Sequence, residues 1–317
     1  MRVDNIFFTA MLLVSAVLTS SCSRGYDSFS GYAQGGVYTV KYNRDGVTMG
    51  RRAVRDSVEA VLRAIDGSVS GYNKSSILSR FNSGEPVIPD EHFSALSELS
   101  EQFRQRTGGA FDAAAAPLFD IWGFGFTPDS LPSPETVAEA LELCSQRKKL
   151  NFNAIAQGYT CDVIAAFLDR AGVKDMLVDV GEIYCRGVNA SGNGWSIGID
   201  DPYDGNNTPG ESIKGIWVSD GGSYGVVTSG NYRKFYVRDG KKYAHTIDPR
   251  TGYPVRHNLL SATIIAPTGA EADALATYCM VIGPEEAVSF IESDSSIEGC
   301  LITSDSTWYS SGFRRGL

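Results

Sequence analysis

Leu260 to Ala266 reads as a continuous apolar strand, and it leads directly into a helical pattern over residues 270–282. A strand feeding a helix without a loop requires sheet and helix to pack together as one unit. The rest of the chain mixes the two periods irregularly. Val37 to Tyr42 alternates like a first strand. Arg52 to Ile65 places Val54, Val58, Val61, Leu62 and Ile65 at helical spacing, and a second helix is expected from Asp90 to Arg106, with Phe93, Leu96, Leu99 and Phe103 inward. Ser133-Pro134 opens a third helix, with Ser as cap and Pro at the first turn, and a fourth runs from Ala154 to Arg170. Strand patterns follow at Met176–Val180, Trp195–Ile199, Ile213–Val218 and Tyr224–Thr228. Phe235–Val237 and Tyr243–Ile247 flank Asp239-Gly240, a hairpin signal. A helix at Pro284–Glu292 and closing strands within Leu301–Tyr309 complete the chain. Helices and strands without regular βαβ alternation imply an α+β fold.

The 270–282 helix also carries the first chemical signal. Asp273 and Thr277 lie four residues apart and share a helix face. Their oxygens are hard donors that suit Mg²⁺ better than zinc or copper. Taken alone, the pair reads equally as a polar edge on an apolar helix, with Thr277 bonding back to its own backbone. His245, one of three histidines, stands on a strand pattern just before the Asp248-Pro249 turn of the stretch His245 to Gly252. An imidazole near neutrality can accept a hydroxyl proton, though a structural histidine bonded to the turn fits the same spacing. Together a proton acceptor and an oxygen-ligand pair point to metal-assisted chemistry on a phosphate. Two glycine-bearing loops, Thr107 to Asp112 and Thr228 to Tyr232, offer amides for close approach to a ligand, or simple turns. Tyr72, Phe111 and Tyr232 are candidates for stacking on a flat ring, or for core filling.

Compartment is read from the first residues. Arg2, an apolar run from Ile6 to Leu18, and small residues before Cys22 form a secretory signal over residues 1–21. Cys at the break suggests a lipoprotein signal, with Cys22 acylated and holding the protein at a membrane surface. Residues 22–30 are polar and suit a tether, leaving 31–317 as the folded domain. The net charge of −9, with no basic run, excludes a nucleic-acid binder. Cys144, Cys161, Cys185, Cys279 and Cys300 are odd in number and lack a C-x-x-C pair, so buried free thiols are expected.

A set of segments, in order, resembles the ApbE family of FAD:protein FMN transferases. They are Val69-Ser70-Gly71-Tyr72-Asn73 running to Asn82, Gly109 to Asp112, Ala154 to Tyr159 and Leu177 to Glu182. Thr228-Ser229-Gly230, His245 to Gly252 and Ala272 to Thr277 continue the series. The resemblance covers nearly the whole chain after the tether. It implies a monomeric, membrane-tethered α+β enzyme of the bacterial envelope, with the cofactor site between two intimate lobes. Such enzymes split FAD, attach FMN through a phosphoester to a Thr or Ser of an envelope redox protein, and release AMP with Mg²⁺. By position, Asp273, Thr277 and a backbone carbonyl near Ala154 would hold the metal. Tyr72, Ala110, Phe111, Asp112, Asn151, Gln157 and Ser229 would line the FAD pocket. His245 would take the catalytic role; its chemistry suits the base, with Asp248 to orient it, and the absence of an acidic run after Cys22 favours the periplasmic face.

Several positions depart from the family pattern. Gln157 stands where Lys is usual, Asn151 where Asp is common, and Gln34 where a Met opens a Met-Gly-Thr segment. Val178-Asp179-Val180-Gly181-Glu182 is one glycine short of the usual turn, a change that can shift strand register. Two other readings therefore stand beside transfer. One is hydrolysis of FAD to FMN and AMP, and the other is a lipoprotein that binds FAD without catalysis.

Overall fold

The computed structural model describes residues 25–125, 131–203, 206, 208, 210–232, 235–238 and 241–314. The expected signal peptide, Cys22 and the Asp239-Gly240 turn lie outside the described residues. The chain opens with β1 (Tyr26–Ala33) and β2 (Gly36–Asn43), followed by α1 (Arg51–Val69), α2 (Ile77–Asn82) and α3 (Glu91–Arg106). A single 3₁₀ turn at Ala113–Ala115 leads to α4 (Ala116–Ile121), α5 (Pro134–Ser145) and α6 (Ala156–Arg170). Then come β3 (Met176–Asp179), β4 (Ile183–Arg186), β5 (Ser196–Asp200), β6 (Ile213–Val218) and β7 (Ser223–Gly230). Short strands β8 (Phe235–Arg238), β9 (Lys241–Ala244), β10 (Ile247–Asp248) and β11 (Tyr253–Pro254) precede β12 (Leu259–Ala266). The chain closes with α7 (Gly269–Ile282), α8 (Pro284–Ser293), β13 (Glu298–Thr303) and β14 (Thr307–Tyr309).

Eight strands form one sheet in the order β1-β2-β3-β4-β7-β12-β13-β14, with each neighbouring pair antiparallel. Both faces of its centre are covered. Ala262, Ile264 and Ala266 of β12 turn to the helical side with Leu275 and Ala276 of α7. Ile265 turns the other way and meets Ile197 and Trp217 of the β5–β6 hairpin. Double coverage is why β12 is buried almost throughout and mainly apolar in an antiparallel sheet, where one-sided burial would alternate. Helix α7 lies between the sheet and α6, and it is buried on nearly all sides from Gly269 to Val281. A helix apolar around its circumference belongs in such a central layer. These layers match the α+β expectation.

The helix starts follow their capping residues. Asp90 accepts the Phe93 amide, Ser133 the Thr136 amide and Thr268 the Glu271 amide. Two boundaries differ from the sequence reading. Tyr26 to Ser30 belong to β1, paired along its length with β2, so most of the expected tether is sheet. This strand escapes a periodicity search because its residues are largely polar or small and it lies at the sheet edge. The expected strand Tyr243–Ile247 is broken: β9 ends at Ala244 and β10 begins at Ile247, leaving His245 and Thr246 between them. The described residues contain no disulfide, and every described cysteine but Cys144 is buried.

Candidate active site

The break between β9 and β10 opens on a pocket of about 340 Å³, which His245 lines together with Thr246, Ile247 and Pro249. Thr246 donates to Asn231 Oδ1 (2.6 Å), which pins the segment to the end of β7. Opposite, α7 contributes Asp273, Thr277, Met280 and Val281. The end of β7 supplies Thr228, Ser229 and Gly230, with Ser229 Oγ 3.4 Å from Thr277 Oγ1. Ala110, Phe111, Asp112 and Ala113 form a third wall after α3. Thr107 Oγ1 accepts the Phe111 amide (3.1 Å), while Asp112 caps the 3₁₀ turn at Ala114 and pairs with Arg147 (3.1 Å). Asn151 and Ala154 lie on the segment entering α6. Asn151 is fixed by its own amide on Ala113 O (2.7 Å) and by its side-chain oxygen on the Asn153 amide (2.9 Å). Tyr72 sits at the rim, 68% exposed. A second cavity, about 440 Å³ at Tyr38, Arg55 and Glu59, contains none of these residues, and its Arg55 and Glu59 are paired with each other.

Asp273 gives the site its electrostatic character. It is buried to 4% exposure, and its Oδ2 accepts the Gly158 amide at 3.0 Å. Burial raises its pKa, the Gly158 amide opposes the rise, and the nearby Asp162 carboxylate adds to it. Asp162 is itself pushed up to about 6 by burial, against two amide hydrogen bonds. A cation here would offset the lost solvation of both carboxylates. Asp273, Thr277 and Ser229 bring hard oxygens to the pocket that Ala154 also lines, a donor type that suits Mg²⁺. Among the described residues no three His, Cys, Asp or Glu side chains converge as a metal cluster.

Two expected site residues are placed elsewhere. Asp248 does not line the pocket, and its carboxylate is committed to Arg250 through contacts of 2.9 Å to Nε and Nη2. Its carbonyl accepts the Gly252 amide (2.8 Å), so it builds the turn. Gln157 turns from the pocket to the β3–β4 connection, where its Nε2 donates to Val180 O (2.9 Å).

The model of the ApbE family matches residues 35–301. The chain belongs to the ApbE family. A FAD:protein FMN transferase of Haemophilus influenzae is 32% identical over 318 residues, covering 91% of this chain and 90% of that protein. Its counterpart in Escherichia coli K12 is 32% identical over 290 residues, covering 82% and 81%. Among solved structures, the apo flavinyl transferase ApbE of Pseudomonas stutzeri superposes with a TM-score of 0.79 at 31% identity, covering 90% of this chain and 95% of that one. The flavin transferase ApbE of Vibrio cholerae gives 0.76 at 28% identity, covering 90% and 97%.

Within this ApbE chain, two of the departures from the family pattern touch each other. Gly181 has φ +94°, and a Cβ there would lie 2.6 Å from Gln157 Nε2. The amide thus spans the shortened turn, while Gly181 N–H bonds Asp179 Oδ1 (3.0 Å). The β3–β4 register runs unbroken from Asp179↔Ile183 to Met176↔Arg186, so the expected slip does not occur. Gln34 donates to Thr160 Oγ1 on α6 (2.7 Å). Sequence reasoning gave no site role to Glu182, Phe119 or Phe124, which line the pocket. Glu182 Oε2 accepts the Thr228 amide (3.4 Å), and the Phe124 ring meets His245 edge-on at 6.3 Å. Phe119, Trp122 and Phe124 are a dense aromatic run that could have marked this wall from sequence.

Proposed function

We propose that this chain transfers FMN from FAD to a Thr or Ser hydroxyl of a target protein, through a phosphoester, with release of AMP. The observation that carries the reading is the buried Asp273, grouped with Thr277 and Ser229 in a pocket that His245 also lines. Tyr72, exposed at the rim, offers a face for a flat ring of the dinucleotide, while Phe111 is packed in the core and Ala110 to Asp112 bring backbone to the pocket edge. The acceptor oxygen attacks the phosphorus of the FMN half, the bond to the AMP phosphate breaks, and His245 takes the hydroxyl proton. A Mg²⁺ ion held by Asp273, Thr277 and the Ala154 carbonyl would neutralise pyrophosphate charge during that exchange. The reading also places a monomeric enzyme at the periplasmic face of a bacterial membrane, anchored by lipid on Cys22. The charged start, apolar run and Cys at residues 2–22 support it. No described helix is long and apolar enough to cross a membrane.

The test is a mass spectrum of an envelope redox domain carrying an acceptor Thr, incubated with the protein, FAD and Mg²⁺. A metal-dependent gain of one FMN phosphoester, with AMP, is expected. Free FMN and AMP without an adduct would make the protein a pyrophosphatase, and uncleaved bound FAD would make it a carrier. His245→Ala should slow transfer about a hundredfold, with FAD affinity within about threefold of wild type. Transfer at the wild-type rate would remove His245 as the base.

A further inference from the structure

Helices α6 and α7 cross where each carries a glycine. A Cβ on Gly158 would lie 2.1 Å from Gly269 O, and one on Gly269 would lie 2.5 Å from Gly158 O. At this crossing each helix gives a carboxylate to the first turn of the other. Asp273 of α7 accepts the Gly158 amide (3.0 Å). Asp162 of α6 accepts the Gly269 amide on Oδ1 (2.7 Å) and the Ala270 amide on Oδ2 (2.8 Å). First-turn amides have no partner inside their own helix, so these bonds satisfy groups that burial would otherwise leave unmet.

These two helices and the segment entering α6 carry the three oxygens assigned above to the metal. Asp273 and Thr277 follow Gly269 by one and two turns of α7, and Ala154 lies two residues before the start of α6. A sliding or rocking of α7 on α6 would alter the spacing between Ala154 and the other two donors. Gly158 and Gly269 bring the helices close, but glycine contacts alone resist axial sliding poorly. The paired Asp162 bonds supply that restraint, because both oxygens are held by consecutive amides.

We propose that Asp162 is a positioning residue, which sets the spacing of the metal donors by clamping the start of α7 to α6. The inference rests on the metal reading proposed above. It predicts an effect on cation affinity separate from any effect on stability. A carboxylate that merely capped α7 would change the melting temperature and leave the affinity of the folded protein unchanged.

The experiment is a Mn²⁺ titration of the intact protein followed by electron paramagnetic resonance, together with the Mg²⁺ dependence of transfer. Asp162→Ala should weaken Mn²⁺ binding about tenfold or more and raise half-saturating Mg²⁺ equally, with FAD affinity in EDTA within about twofold. Asp162→Asn keeps one accepting oxygen and should fall between the two. Asp90→Ala, which removes the remote cap of α3, should lower the melting temperature without changing Mn²⁺ affinity. Folded Asp162 variants that bind Mn²⁺ as wild type does would overturn the proposal, whatever their melting temperatures. If the alanine variant fails to fold, the asparagine variant decides by the same criteria. Wild-type protein that binds no Mn²⁺ and transfers FMN in EDTA would remove the metal reading itself, and this role with it.

Discussion

Asp273→Ala should reduce metal-dependent FMN transfer by about a thousandfold or more, since a bound cation contributes several kcal/mol to reactions of this kind. The loss should come without collapse of the fold. Asp273 is the buried carboxylate of α7, and burial disfavours its charged form. Removing that charge relieves a cost in the metal-free protein, partly offset by leaving the Gly158 amide unpaired. The variant should therefore melt close to wild type in EDTA, while Mg²⁺ should no longer raise its melting temperature. Assays of transfer and melting, each with and without Mg²⁺, separate these effects. Transfer within tenfold of wild type would place the cation elsewhere.

Gly158→Ala should destabilise the protein by about 3 kcal/mol or more, the upper end of ordinary overpacking. This reverses the usual sign, because alanine in an open helical position gains about 1 kcal/mol over glycine. Here the methyl would lie 2.1 Å from Gly269 O and 2.4 Å from its carbonyl carbon, and both are backbone atoms that cannot rotate away. The melting temperature should fall by about 5–10 °C. Gly67→Ala in α1 is the matched control, since its Cβ would meet nothing within 4 Å, and it should hold or raise stability. If Gly158→Ala melts at or above wild type, the helices do not cross as closely as the geometry requires. The clamp at Asp162 would lose its basis in the same result.

The long periodic segments could be read from sequence because burial imposes a period on them. Helices α1, α3 and α6 and strand β12 follow their apolar spacing to within a few residues at each end. Strand β1 and the short helices α2 and α4 could not be read this way. Strand β1 is an edge with few buried residues, and α2 and α4 are too short for a period to emerge. The site divides along similar lines. Asp273, Thr277 and His245 were visible as residue types suited to the chemistry, in segments that matched a family. The roles of Asp248, Gln157 and Asp162 were not, because their partners are an arginine within the same turn, a carbonyl and two amides. Backbone donors and acceptors exist at every position, so a sequence does not show which of them a side chain will meet.

The early start of β1 gives the proposed lipid anchor a mechanical consequence. Only four residue steps separate Cys22 from Tyr26, the first residue of the sheet. Even fully stretched, such a leash reaches about 14 Å. With lipid on Cys22, the sheet edge would ride against the headgroups, with no slack for the body to swing outward. An acceptor would then meet a body that cannot stand off from the bilayer, which favours partners held at or near the same surface.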